Sequence, residues 1–223
     1  MSTTRRKLII FDHDGVIANS EDLYDIADRE FLRRHGVDYR REEIVSLLMG
    51  RNFTETTGIL KERYQLRGTL EALIHERRGF LEAQYRSSLD FIPGFSGFHA
   101  ELVKNGLQTC VATSSEPVLF AIAKERLRLE EFFGGRMFTV AQVGNRSKPN
   151  PALFLYAAEQ MGVTPEGCMV IEDSPNGVLA AKNAAMYCVA LTTTHTREQL
   201  AVADVAVSSY GELAQMMREV LSG

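Results

Sequence analysis

Hydrophobic positions follow two different rhythms along this chain. Lys7-Leu8-Ile9-Ile10-Phe11 is a short apolar run rich in β-branched residues, the pattern of a strand buried on both faces of a parallel sheet. It stops at Asp12-His13-Asp14-Gly15, where charge and glycine call for a turn. From Ser20 to about Leu89 the spacing becomes helical. Ser20 is placed to cap a first helix, with Glu21 and Asp22 in its first turn, and Leu23, Ile26, Ala27, Phe31 and Leu32 repeat along one face until Gly36. Ile44 to Leu48, stopped at Gly50, predicts a second helix, Ile59 to Tyr64 a third, and Leu70 to Tyr85 a longer fourth. No segment between residues 20 and 89 reads as a strand.

After Phe91-Ile92-Pro93-Gly94 helix and strand alternate. Strands are expected at 108–113, 137–140, 168–172, 187–191 and 204–207, with helices at 95–105, 116–128, 150–162, 175–185 and 210–221. Such alternation builds a parallel sheet covered by helices on both faces. The first strand belongs with this region, and the helical stretch interrupts it. The fold class is therefore α/β, a Rossmann-like parallel core with a helical domain inserted after the first strand. Residues 1–17 and 91–223 form the core and 18–90 the insert, with hinges near 15–20 and 88–95.

In parallel sheets of this kind, ligands bind beyond the carboxyl ends of the strands. Four polar clusters fall there: Asp12-His13-Asp14-Gly15, Thr113-Ser114-Ser115, Ser147-Lys148-Pro149-Asn150-Pro151 before a helix, and Glu172-Asp173-Ser174. Carboxylates from two segments make an oxygen-rich site of the kind Mg²⁺ prefers. Hydroxyls and an amine suit phosphoryl oxygens, and a carboxylate can act as a nucleophile towards phosphorus. An anionic Asp would repel an anionic phosphate without Mg²⁺ and Lys148 to offset the charge.

Composition narrows the function classes. The 223 residues are 45% hydrophobic and 24% charged, as in an ordinary globular protein. A net charge of −4, from 25 basic and 29 acidic residues, does not resemble the basic footprint of a nucleic-acid binder. Arg5-Arg6-Lys7 reads as a solvated start before a strand. Cys110, Cys168 and Cys188 lie far apart in apolar runs, which fits buried free thiols in a reducing cytoplasm rather than disulfides or zinc. No stretch has the ~20 apolar residues of a membrane span. A cytoplasmic protein without membrane or nucleic-acid partners is expected, monomeric by default.

FDHDGVIANSE, VATSS, SKPNPALF and IEDSPNGVLAAKNAAM, in that order, resemble the four motifs of the haloacid dehalogenase superfamily. More narrowly, the chain is similar to the β-phosphoglucomutase/CbbY-like phosphatases, which carry a helical cap after strand one. The resemblance covers essentially the whole core. It implies a Mg²⁺-dependent phosphatase of a small phosphorylated metabolite, working through an aspartyl-phosphate. Asp12 would be the nucleophile and a Mg²⁺ ligand, and Asp14 the general acid and base, with its main-chain carbonyl on the metal. Thr113, with Ser114 and Ser115, would bind the phosphoryl group, Lys148 would neutralise nucleophile and phosphate, and Glu172 and Asp173 would complete the metal site. An Asp at position 14 argues against carbon–halogen and phosphonate chemistry, because those relatives lack it, whereas an ester leaving as alkoxide needs a proton donor.

Several residues also have plainer explanations. Asp12 and Asp14 could simply form a turn, and Thr113 to Ser115 could cap the next helix. Ser174-Pro175 reads as the cap and first position of a helix. His13, between the two aspartates, is expected to point away from them and pack. His35, His75, His99 and His195 make no metal pattern. Substrate choice is expected from the insert, with Arg51 and Asn52 as candidates and Tyr24 and Arg86 behind them. The alternative function is a sugar phosphomutase of the β-phosphoglucomutase type. The mutases carry a His near the position of Tyr24, which argues for the phosphatase.

Overall fold

The computed structural model describes residues 6–40, 44 and 53–222, apart from the side chains of 219–222. Six strands form one sheet: β1 Leu8–Phe11, β2 Gln108–Thr113, β3 Met137–Thr139, β4 Cys168–Glu172, β5 Tyr187–Leu191 and β6 Val205–Val207. Their order is β3-β2-β1-β4-β5-β6, and every pair is parallel. Ile10 pairs with Cys110 on one side and Val170 on the other, so β1 lies in the middle. The chain winds outward from β1 in both directions. That reversal opens a crevice beyond the carboxyl ends of the central strands.

Nine helices surround or interrupt the sheet among the described residues: α1 Ser20–Arg34, α2 Phe53–Tyr64, α3 Leu70–Ser88, α4 Phe95–Lys104, α5 Pro117–Arg126, α6 Leu129–Phe133, α7 Ala152–Gln160, α8 Pro175–Asn183 and α9 Tyr210–Ser222. One face of the sheet presents Leu8, Ile10, Cys110, Ala112, Val170 and Cys188 to Leu153 and Phe154 of α7 and Val178 and Ala181 of α8. The other face is aromatic. Phe11 meets Phe95 of α4 at 5.6 Å and Phe133 of α6 at 5.9 Å between ring centroids, and Tyr210 of α9 stands 5.2 Å from Phe98. Fully buried strands on both faces explain why their sequences are continuous apolar runs rather than alternating ones.

The chain divides into two compact units, residues 1–19 with 90–223 and residues 20–89. The hydrophobic pattern of the sequence places these boundaries at 17/18 and 90/91. The helical unit has its own core of Phe31, Leu32, Ile44, Leu60, Leu66 and Leu73. Within the sheet unit, Asn19 N donates to Asp90 O at 3.1 Å and Asp90 N to Asn19 Oδ1 at 2.8 Å. The chain thus leaves the sheet unit and returns to it at one point.

The structure departs from the sequence pattern at two places. α1 begins at Ser20 itself, and the Ser20 hydroxyl has no hydrogen-bond partner, so it is not a cap. Asn19, the residue before it, turns its side chain to Asp90 instead. α6 was not expected. It is five residues long and starts after Arg128 in the left-handed region, φ 53°, too short a run to show a period. The second helix expected from Ile44 to Gly50 lies, apart from Ile44, outside the described residues.

Candidate functional site

Asp12 follows the last residue of β1, and its N–H still donates to Ile171 O at 3.0 Å, which holds it beside the end of β4. Glu172 is the last residue of β4 and is fully buried. Asp173 follows it, 5% exposed. One carboxylate oxygen from each of Asp12, Glu172 and Asp173 lies within 4.8 Å of the others. Lys148, carried by the loop between β3 and α7, donates to Asp12 Oδ1 and, at 2.5 Å, to Glu172 Oε1. Its ammonium also stands 5.0 Å from the centre of the Phe154 ring.

Three buried carboxylates crowd together here, and the Lys148 ammonium bonds two of them. Burial, with Glu172 and Asp14 nearby, pushes the Asp12 carboxyl up to about 7 against the pull of Lys148. Burial also pulls on the Lys148 ammonium in the uncharged direction, but Asp12 and Glu172 outweigh it and hold the ammonium above its ordinary value. Surplus negative charge on oxygen donors is the condition that a hard divalent cation relieves, so the residues present fit Mg²⁺.

Asp14 belongs to the next layer outward. Its Oδ2 accepts from the Ser115 hydroxyl, and its Oδ1 lies 3.2 Å from His13 Nδ1. Thr113, the buried last residue of β2, shares a hydrogen bond with Ser115 at 2.7 Å and accepts from Ser115 N at 3.0 Å. Neither hydroxyl caps α5, whose cap position is Glu116. Ser114 is exposed. His13 is buried edge-on against Phe120, as packing requires, but its Nδ1 does not point clear of Asp14. The tight turn folds the chain back after β1, so the alternation of an extended strand does not carry through it.

Two glycines keep the acids in place. Gly177 lies in the first turn of α8, where a Cβ would overlap the Glu172 carboxylate. Glu172 Oε2 accepts from Asp173 N at 2.9 Å, Ser174 N at 3.0 Å and Ser174 Oγ at 3.0 Å, while Ser174 Oγ caps α8 by accepting from Gly177 N at 3.1 Å. Gly15 has φ +71°, and a Cβ there would overlap the Asp173 carboxylate. The turn that carries Asp14 is fastened at three successive carbonyls. Gly15 O accepts from Thr193 Oγ1 at 2.6 Å, Val16 O from Tyr210 Oη at 2.9 Å, and Ile17 O from Ile92 N at 2.8 Å. Burial, with the charges of Asp173 and Asp12, holds the Tyr210 phenol above its ordinary value, which keeps it a donor.

Gly177, Tyr210, Thr193 and Thr194 carry no signal of a site role in the sequence, and His195 is weighed there only as making no metal pattern. The clue available was position: Thr193 follows β5 on the same edge of the sheet as the four clusters. Arg51 and Asn52 lie outside the described residues. Tyr24 lies in α1 and Arg86 in the last turn of α3. Among the described residues no helix is long and apolar enough to cross a membrane, and the three cysteines are free and buried.

The chain is 31% identical to a phosphorylated carbohydrates phosphatase of Thermotoga maritima, over 96% of this chain and 99% of that one. It is 26% identical to hexitol phosphatase A of Escherichia coli, over 94% of each. The crystal structure of CbbY from Rhodobacter sphaeroides in complex with phosphate superposes with a TM-score of 0.75 at 25% identity, covering 93% of this chain and 96% of that one. The family described as haloacid dehalogenase-like hydrolase matches residues 6–185, and with that span and these relatives the chain belongs to the haloacid dehalogenase-like hydrolases.

Proposed function

We propose that this hydrolase is a Mg²⁺-dependent phosphatase of a phosphorylated carbohydrate or related small metabolite, acting through an aspartyl-phosphate on Asp12. Membership of the family and the named phosphatases among its relatives make it a phosphoric monoester hydrolase. The observation that carries the finer reading is the convergence of Asp12, Lys148, Glu172 and Asp173, with surplus negative charge, at the carboxyl edge of the sheet.

Asp12, Glu172 and Asp173, with the main-chain carbonyl of Asp14, would hold Mg²⁺. When bound there, the cation would supply positive charge to the phosphoryl oxygens and would keep Asp12 ionised at neutral pH. An Asp12 oxygen attacks phosphorus, the bond from phosphorus to the ester oxygen breaks, and Asp14 gives its proton to that leaving oxygen. Asp14, now a carboxylate, takes a proton from water. The water oxygen attacks phosphorus, the bond to Asp12 breaks, and phosphate leaves. Thr113 and Ser115 offer hydroxyls to the phosphoryl group, and Lys148 screens the charge that builds on it. Ser115, bonded here to Asp14, is also placed to fix that carboxylate's orientation. Residues 20–89, a compact unit of their own, correspond to the helical insert that the family resemblance reads as the substrate-selecting cap.

The test is release of inorganic phosphate from a panel of phosphorylated sugars, polyols and nucleotides with Mg²⁺. Wild type should release it without a bisphosphate activator. Asp14→Asn should lower kcat by about 10²–10⁴-fold, in the range of a lost general acid and base. Conversion of one sugar phosphate isomer to another without net phosphate release would replace this reading with the mutase.

A further inference from the structure

Asp173 is held from a strand end that none of the four motifs includes. β5 ends at Leu191, and Thr193, Thr194 and His195 follow it. Thr194 Oγ1 lies 2.5 Å from Asp173 Oδ2 and 3.2 Å from Asp173 O. His195 Nδ1 lies 3.0 Å from that carbonyl and 2.8 Å from Thr194 Oγ1. A carbonyl oxygen has no proton to give, and a hydroxyl has one. The carbonyl therefore fixes His195 Nδ1 as a donor. That nitrogen donates to the carbonyl and to Thr194 Oγ1, and the Thr194 proton goes to the carboxylate, the nearer and charged acceptor. The hydrogen bonds run in one direction, from imidazole to hydroxyl to Asp173.

The neighbouring turn closes on this contact. Thr193 Oγ1 ties Gly15 O at 2.6 Å. The missing side chain of Gly15 leaves room where a Cβ would overlap the Asp173 carboxylate and come within 2.8 Å of Thr194 Cγ2. Segments after β1, β4 and β5 thus meet at one carboxylate.

We propose that Thr194, oriented by His195, is a positioning residue that fixes the rotamer of Asp173 for a divalent cation. This rests on the reading of Asp173 as a cation ligand. Without the hydroxyl, Asp173 would have to be ordered at the moment of binding. Outer partners of metal ligands commonly carry about 10–100-fold in affinity.

The experiment uses the full chain and three variants. Thr194→Val keeps the shape and removes the donor, Thr194→Ala removes it with less bulk, and Thr194→Ser keeps it. Mg²⁺ binding is measured by titration calorimetry without substrate, and Mn²⁺ binding by electron paramagnetic resonance. Thr194→Val and Thr194→Ala should bind about 10–100-fold more weakly. Thr194→Ser should bind within about threefold of wild type, since its hydroxyl makes the same bond. In the same variants the Mg²⁺ concentration for half-maximal phosphate release should rise in parallel, with the loss recovered at high Mg²⁺. Wild-type affinity in both Thr194→Val and Thr194→Ala would overturn the proposal, as would Thr194→Ser binding as weakly as they do. If Asp173→Asn binds Mg²⁺ like wild type, the assignment of Asp173 as a ligand fails, and this proposal with it.

Discussion

Among the described residues each unit buries a cluster of charge, and the two are built differently. In the helical unit, Arg77 donates to both oxygens of Asp28, at 2.6 and 2.9 Å, and to Thr56 and Thr57 at 2.7 and 3.0 Å. Its guanidinium also stands 4.5 Å from the centre of the Phe53 ring. One cation meets one anion, and fixed hydroxyls take up further donors. In the sheet unit three carboxylates crowd together, one ammonium bonds two of them, and the Asp12 carboxyl is driven up to about 7. A matched pair needs nothing more and serves the fold. An unmatched set leaves a charge for a ligand to settle, and such mismatches mark sites of chemistry.

The largest expected effect tests the unmatched set. Asp12→Asn should lower kcat by about 10⁴-fold or more while circular dichroism keeps the wild-type shape. Activity near wild type would remove Asp12 as nucleophile.

Next comes the matched pair. Arg77→Met strands Asp28 as a lone buried carboxylate and should cost roughly 3–5 kcal/mol in denaturant unfolding. Joint Asp28→Leu/Arg77→Met should recover most of that loss. A neutral single variant would mean that the pair does not hold the helical unit together, and the contrast with the site would collapse.

Gly177→Ala sets a methyl against Glu172, so α8 or the carboxylate must shift. About 1–3 kcal/mol of overpacking cost is expected, together with a loss of activity, because Glu172 also holds Lys148. An unchanged melting temperature and unchanged kcat would show that the helix start yields freely.

The smallest effect concerns pH. The folded-state value of Asp12, about 7, is above its ordinary 3.8. Its contribution to the stability of the cation-free protein is therefore complete below about pH 4 and lost as pH rises through about 7. Added Mg²⁺ should accordingly raise Tm more at pH 8 than at pH 5. Asp12→Asn should melt about 3–6 °C above wild type in EDTA at pH 8, taking roughly 1–2 kcal/mol for the relieved charge. Equal melting at pH 8 would show that the surplus charge is already dispersed.

The two regions also differ in how much of them the sequence disclosed. The strands were legible because burial on both faces leaves unbroken runs such as Leu8–Phe11 and Cys168–Glu172. Asp12, Thr113, Lys148, Glu172 and Asp173 were legible because each sits where such a run ends or a helix is about to begin. Ser174 caps α8 as its position before Pro175 suggested. Contacts made across the fold were not legible. Gly177 looks like any helical glycine until Glu172 is found beneath it. Thr194 and His195 are ordinary loop residues until the end of β5 is laid beside β4. The Asp28–Arg77 pair joins residues 49 apart in the chain, which no local periodicity registers. α6 is too short for its period to show, and Ser20 misled because a cap and a first helical residue have the same composition.

The paired hydrogen bonds between Asn19 and Asp90 have a consequence for how such a protein can diversify. The sheet unit holds both ends of residues 20–89 together through its backbone and the Asn19 side chain, and the bridge between Ala18 and Phe91 continues the clasp. The loop-closure cost of an insertion grows slowly with its length, by about 0.6 kcal/mol for each doubling. A lineage could therefore lengthen, trim or exchange the helical segment with little disturbance to the acids at the end of β1 and β4. The two parts of the chain are in this sense separable: the acids belong to the sheet unit, and the helical segment hangs between Asn19 and Asp90.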